Sequence, residues 1–155
     1  MDAQVTSDVH TVCTNADLVG RSLAGLEKRG NFSGSDLTGA VFGGQAVCDA
    51  NFNNATLIGT IFNRTNGCNY DGATFVGADL SNALIVNSSF VGADFSRANL
   101  TGARIEADLT GATFVGATLT GVTWTREENG ILSSTCPNGH SASEYAGTCM
   151  GHLTP

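Results

Sequence analysis

From Gly30 onward the chain repeats itself every five residues, and this period constrains its folding more than any other feature. The units read SDLTG and AVFGG, then ANFNN and ATLIG, and later ATFVG, ADLSN, ADFSR, ANLTG, ADLTG, ATFVG and ATLTG. Each has a large apolar centre: Phe32, Leu37, Phe42, Val47, Phe52, Leu57, Phe62, Tyr70, Phe75, Leu80, Ile85, Phe90, Phe95, Leu100, Ile105, Leu109, Phe114, Leu119 and Trp124. Two residues earlier the chain prefers a small side chain, most often alanine, as at Ala55, Ala73, Ala78, Ala93, Ala98, Ala112 and Ala117. A helix repeats every 3.6 residues and a strand every two, so neither buries a pattern of five along one continuous element. A chain that turns a corner after each unit does.

If each unit is one side of a square, the centre and the small residue before it point inward and the other three face out. The residue two after the centre is often Gly or Asn, as at Gly39, Asn54, Gly77, Asn82 and Gly102, which suits the positive φ of a type II turn. Four sides close one coil in about 20 residues, and coils stack at the β-ladder spacing of about 4.8 Å. Counted this way, Phe32, Phe52, Phe75, Phe95 and Phe114 share one side, while Leu37, Leu57, Leu80, Leu100 and Leu119 share the next. That segregation was not used to set the frame, and it supports four units per coil.

On these units the chain resembles the pentapeptide-repeat family, whose pattern is A(D/N)LXX. The resemblance covers about residues 31–124, with an outlying unit at Ala16-Asp17-Leu18. It implies an all-β fold, a right-handed quadrilateral β-helix of about five to six coils.

The pattern is interrupted in two places. From Phe62 to Tyr70 the step is eight, so three extra residues around 64–67 are expected to bulge as a loop, and insertions of this kind often carry function. From Ile105 to Leu109 it is four, a deletion expected to tighten or distort a corner near Glu106. A stack of coils also has two open ends that need covers. The chain therefore divides into an N-terminal cap with an irregular first coil at 1–29, the repeat body at 30–124 and a C-terminal cap at 125–155.

Composition narrows the function. Fourteen acids against seven bases give a formal charge of -7, the opposite of a nucleic-acid-binding footprint, so direct nucleic-acid binding is not expected. No apolar run approaches the roughly 20 residues of a bilayer span. A square coil filled by its own side chains has no cleft, and the sequence shows neither a phosphate-cradling loop nor a nucleophile beside a base, so no catalytic residue, cofactor or enzyme activity is expected.

Cys136 and Cys149 allow two readings, with His140 and His152 nearby. A disulfide closing this loop contributes on the order of 3 kcal/mol in the chain-entropy model. A zinc site from the four residues has suitable ligand types but lacks the short C-x-x-C turn of common zinc modules. The disulfide is the reading taken, and no metal is assigned. The ending TCPNG…GTCMGHL also resembles exported members of the family, which implies an oxidising compartment. Cys68 falls at a small inward place and reads as a buried substitute for alanine. Cys13 and Cys48 have no assigned role, and their pairing is open.

Two functions follow. The first is a non-catalytic, exported structural or protein-interaction module that presents its outer faces to an unidentified protein partner, as a monomer or an end-packed homodimer. The second comes from the resemblance alone: some family members imitate DNA and bind DNA gyrase, modulating quinolone sensitivity from the cytoplasm. Residues 30–124 carry seven acids and three bases, a net of -4. Five coils span about 24 Å, over which duplex DNA presents about 14 phosphate charges. The imitation is weak, which favours the first reading.

Overall fold

Many of the described corners are closed by a turn in which the centre residue's carbonyl accepts from the amide three residues on. The amide of Ala40 donates to Leu37 at 2.9 Å and that of Ala73 to Tyr70 at 3.0 Å. The residue before the donor takes positive φ, +65° at Gly39 and +67° at Gly72. Where asparagine replaces glycine it accepts this conformation, at φ +56° for Asn82. On the next coil the matching residue is Gly102, where a Cβ would lie 2.7 Å from Oδ1 of Asn82.

The computed structural model describes residues 12–23, 29–43, 47–63, 70–124 and 134–140. Between corners the backbone is extended and bonded to the coils above and below. Phe52 donates its N–H to Thr74 O at 2.7 Å, and Thr74 returns its own to Ala50 O at 2.9 Å. One side carries five strands, β1 (Val41–Gly43), β2 (Ile61–Asn63), β3 (Leu84–Ser89), β4 (Arg104–Asp108) and β5 (Thr123–Trp124), paired in parallel in that order. No helix occurs among the described residues. The fold is an all-sheet solenoid of parallel strands, as the repeat requires.

Four columns fill the interior. Phe32, Phe52, Phe75, Phe95 and Phe114 stack face to face, with ring centroids 4.8–5.0 Å apart and planes within 10°. Leu37, Leu57, Leu80, Leu100 and Leu119 form the second column, all buried. The third runs through Phe42, Phe62, Ile85 and Ile105, and the fourth through Val47, Tyr70, Phe90 and Leu109. Rings in different columns meet edge to face, as Phe42 meets Phe52 at 5.4 Å and 87°, the arrangement the aromatic quadrupole favours. Ala55, Ala73, Ala78, Ala93, Ala98, Ala112 and Ala117 are buried beside them.

At three small inward places a hydroxyl donates to a nearby carbonyl. Thr60 Oγ1 bonds Leu37 O at 2.7 Å, Ser88 Oγ bonds Val86 O at 2.7 Å, and Ser35 Oγ bonds Cys13 O. Buried polar atoms so paired avoid the cost of an unmet hydrogen bond.

The deletion near Glu106 distorts its corner, as expected: β4 continues from Arg104 to Asp108, and the compensating bulge sits in β3, where the pairing skips from Val86 to Ser88 past Asn87 at φ +50°. The ladder includes the irregular first coil expected within 1–29, and it extends one level past residue 124, into the segment expected to be cap. Bridges run on one side from Val12 through Asn31, Asn51, Thr74, Asp94 and Thr113 to Thr135. Cys13 and Cys136 therefore hold centre places at the two ends of the phenylalanine column, and neither reads as a large apolar centre in the sequence. Ser134 fills the small place before Cys136, and both are fully buried. Trp124, the largest centre, is only half-buried and meets Phe114 edge to face at 6.3 Å. The insertion at 64–67 lies outside the described residues, as do most of the proposed caps.

Ala78 is 1% exposed and packed among these columns. Ala78→Leu is expected to cost about 1–3 kcal/mol by overfilling the interior, read as a lower melting temperature. A variant melting like the parent would show that Ala78 does not point inward.

Candidate interaction surface

With its centre filled by side chains, the molecule can meet other molecules only at its sides and ends. Among the described residues no cluster of three or more His, Cys, Asp or Glu side chains is arranged to hold a metal ion. A shallow surface depression lies between Arg29, Gly30, Asn31, Asp49 and Asn51. The Arg29–Asp49 ion pair, 3.6 Å apart, sits there with both side chains more than half exposed, so it contributes little.

The repeat's Asp and Asn residues stand one before each centre and form polar ladders up two sides. One reads Asn31, Asn51, Thr74, Asp94, Thr113, Thr135 above an aliphatic first rung, Val12, and the other Asp17, Asp36, Thr56, Asp79, Asn99, Thr118. Many of these side chains turn back onto their own corner. Asp79 Oδ1 accepts from the Ser81 amide at 3.0 Å, Asp94 from Ser96 at 2.8 Å, Asp108 from Thr110 at 2.9 Å and Asn51 from Asn53 at 2.9 Å. These side-chain oxygens fix the backbone two residues on, a local use of Asp and Asn that needs no ligand. The bond from the Thr38 hydroxyl, then that from its amide, holds the exposed Asp36 carboxyl below its ordinary value.

The third side differs. Its ladder reads Ser22, Val41, Ile61, Leu84, Arg104, Thr123, so three stacked aliphatics face outward where the first two sides carry amides, hydroxyls and carboxylates. Sequence reasoning sorted inward from outward places and missed this stripe. Its signal was present in the units AVFGG, TIFNR and ALIVN, which lack Asp or Asn before the centre.

Cys48 and Cys136 are disulfide-bonded, whereas Cys13 is a free thiol whose burial pushes its pKa up. Cys13 and Cys48 therefore do not pair with each other. A disulfide sulfur offers no thiolate, which removes Cys136 from the zinc reading. Cys149, the partner expected for Cys136, lies outside the described residues together with Cys68 and His152. Two arginines take left-handed backbone, Arg29 at φ +63° and Arg97 at φ +59°, and Arg97 stands in a corner column otherwise held by Gly or Asn, such as Gly77 and Gly116.

A family model described as pentapeptide repeats matches residues 31–66 and 73–106 in eight copies. None of the curated proteins matches the chain. Among solved structures it is similar to QnrB1, a plasmid-mediated fluoroquinolone resistance protein, at 21% identity over 81% of this chain and 77% of that one, TM-score 0.35. It is also similar to HetL, a pentapeptide repeat protein involved in heterocyst differentiation regulation in the cyanobacterium Nostoc, at 17% identity over 85% and 92%, TM-score 0.23. A pentapeptide repeat protein of the Arabidopsis thaliana thylakoid lumen shares 30% identity over 68% and 59%, TM-score 0.22.

Two outcomes follow from the corners. Because its folded-state pKa is depressed, Asp36 contributes stability above about pH 4, the unfolded value, and loses that contribution as pH falls through its folded value. A carboxyl-detected NMR titration is expected to show Asp36 titrating low and moving back up in Thr38→Ala; no movement would exclude Thr38 as the cause. Separately, Arg97→Gly is expected to stabilise by up to about 1 kcal/mol by relieving left-handed strain, measured by denaturant unfolding.

Proposed function

The chain belongs to the pentapeptide-repeat family, and from that premise we propose that it acts without catalysis, as a rigid structural or protein-interaction module of an oxidising, extracytoplasmic compartment. The observation that carries this reading is Cys136. It closes the phenylalanine column one level above Phe114, is fully buried and is disulfide-bonded. A second described cysteine, Cys48, is disulfide-bonded as well. Bonds of this kind persist where thiols are not kept reduced. We assign Cys149 as the partner of Cys136, so that the bridge ties the chain's last segment to the end of the core. A packed interior leaves the outer ladders as the working surface, and a partner protein is the natural occupant of such a surface.

The DNA-mimic alternative needs a dense line of negative charge. On the second side only Asp17, Asp36 and Asp79 of the six ladder residues are acidic, and Asp36 and Asp79 are bonded to their own corners.

Thiol labelling of protein taken from its native compartment tests the export reading. Cys13 alone among the described cysteines is expected to label after unfolding without reductant, and Cys48 and Cys136 only after reduction. Labelling of Cys136 without reductant would contradict an oxidising compartment. A gyrase supercoiling assay with purified protein is expected to show no effect at micromolar concentration; inhibition would support the mimic instead.

A further inference from the structure

We infer that Cys48 is bonded to Cys68, and that this bridge clamps two successive coils together beside the insertion that breaks the repeat. This goes beyond the proposed function. It rests on the disulfide state of Cys48 and Cys136 and on the geometry of the coil, not on the compartment assigned to the protein.

Position leaves Cys48 one partner. Of the five cysteines, Cys13 is a free thiol, while Cys48 and Cys136 are each disulfide-bonded. These two are not bonded to each other. Cys48 precedes Phe52, and from Phe52 the first column climbs through Phe75, Phe95 and Phe114 to Cys136. Four rungs make about 19 Å, whereas a disulfide needs Cα atoms within about 7 Å. Cys68 is also out of reach of Cys136. It stands two residues before Tyr70, hence within about 7 Å of it. Tyr70 lies just before Phe75, three rungs or about 14 Å below Cys136 and on an adjoining side. Even a Cys68 directly above Tyr70 would be separated from Cys136 by the offset between the two sides. The partner of Cys136 is therefore Cys149, and Cys68 remains for Cys48.

The same columns bring Cys48 and Cys68 together. Val47 and Tyr70 are successive members of the fourth column, and next to them Asp49 donates its N–H across the coils to Asp71 O at 2.9 Å. Val47 is buried at an inward place, so the next residue, Cys48, is turned outward and is only half-buried. Cys68 meets it on the outer face instead of filling the inward small place that counting gives it. Residues 48 to 68 make one full coil, as Phe32 to Phe52 do. The bridge thus turns one winding into a covalent ring, where the step from Phe62 to Tyr70 interrupts the repeat. It also fixes both ends of the insertion, since Asn63 is already paired in β2 with Gly43 and Val86. In closing the ring each thiol gives up one proton and one electron, and an external disulfide takes them and leaves as two thiols.

Peptide mapping of the full chain tests the pairing. Native protein is denatured, alkylated without reductant and cut with trypsin at Arg29, Arg64, Arg97 and Arg126. These cuts put Cys48 on residues 30–64, Cys68 on 65–97, and both Cys136 and Cys149 on 127–155. The expected product is 30–64 joined to 65–97, separating on reduction. Cys48→Ser is expected to make Cys68 alkylable without reductant and to leave 127–155 closed within itself. In denaturant unfolding the same variant is expected to show an unfolding constant raised about a hundredfold, the effect of opening a loop of this length. Alkylated Cys48 and Cys68 in the unreduced parent, 30–64 joined to 127–155, or a Cys48→Ser chain as stable as its parent would overturn the inference. Peptide 30–64 joined to 127–155 would still leave the oxidising compartment standing, so failure of the pairing is distinct from failure of the proposed function.

Discussion

Two lengths coincide in this molecule, and the architecture follows from their agreement. Parallel β-ladders repeat at about 4.8 Å, and the stacked phenylalanines of the first column sit 4.8–5.0 Å apart. A ring placed at the same point of every coil is therefore in contact with the next without any adjustment of the backbone. The leucine column works in the same way without the ring geometry. Because each inward side chain is held by its own column and by edge contacts with the next, a change at one level is felt at those above and below.

Most of this was legible in the sequence because the repeat encodes each coil redundantly. Phe and Leu sort onto separate sides by counting alone, and the Gly and Asn corners take positive φ at Gly39, Asn54 and Asn82. What the sequence hid was small or indirect. Cys13 and Cys136 are centre residues that look nothing like Phe, so the first level of the ladder was read only as part of an irregular first coil and the last as cap. The deletion near Glu106 is compensated on the neighbouring strand at Asn87, a relation between coils that no local pattern carries. The aliphatic ladder through Val41, Ile61 and Leu84 was visible only after the sides had been separated, because each residue taken alone is an ordinary exposed apolar side chain.

The polar positions also become intelligible. Asp or Asn before the centre does not wait for a ligand; it accepts the amide two residues later and holds the corner, as Asp79 does for Ser81 and Asp94 for Ser96. A family pattern with an acid or amide at every side is thus a folding device first. Function has to be sought where the pattern is broken, at the third side and at the disulfide-bonded Cys136. Rigidity is what such a scaffold offers a partner: the outer residues are fixed at regular intervals by an interior that leaves them little freedom.

The most direct measurement is a nuclear Overhauser spectrum of the protein in solution, with the phenylalanine rings individually labelled. If the columns hold the fold, Phe52 and Phe75 show strong ring-to-ring contacts, as do Phe75 and Phe95, across the 20 or more residues that separate each pair in sequence. Contacts confined to residues three and four apart, with none between Phe52 and Phe75, would contradict the stacked coil and everything built on it.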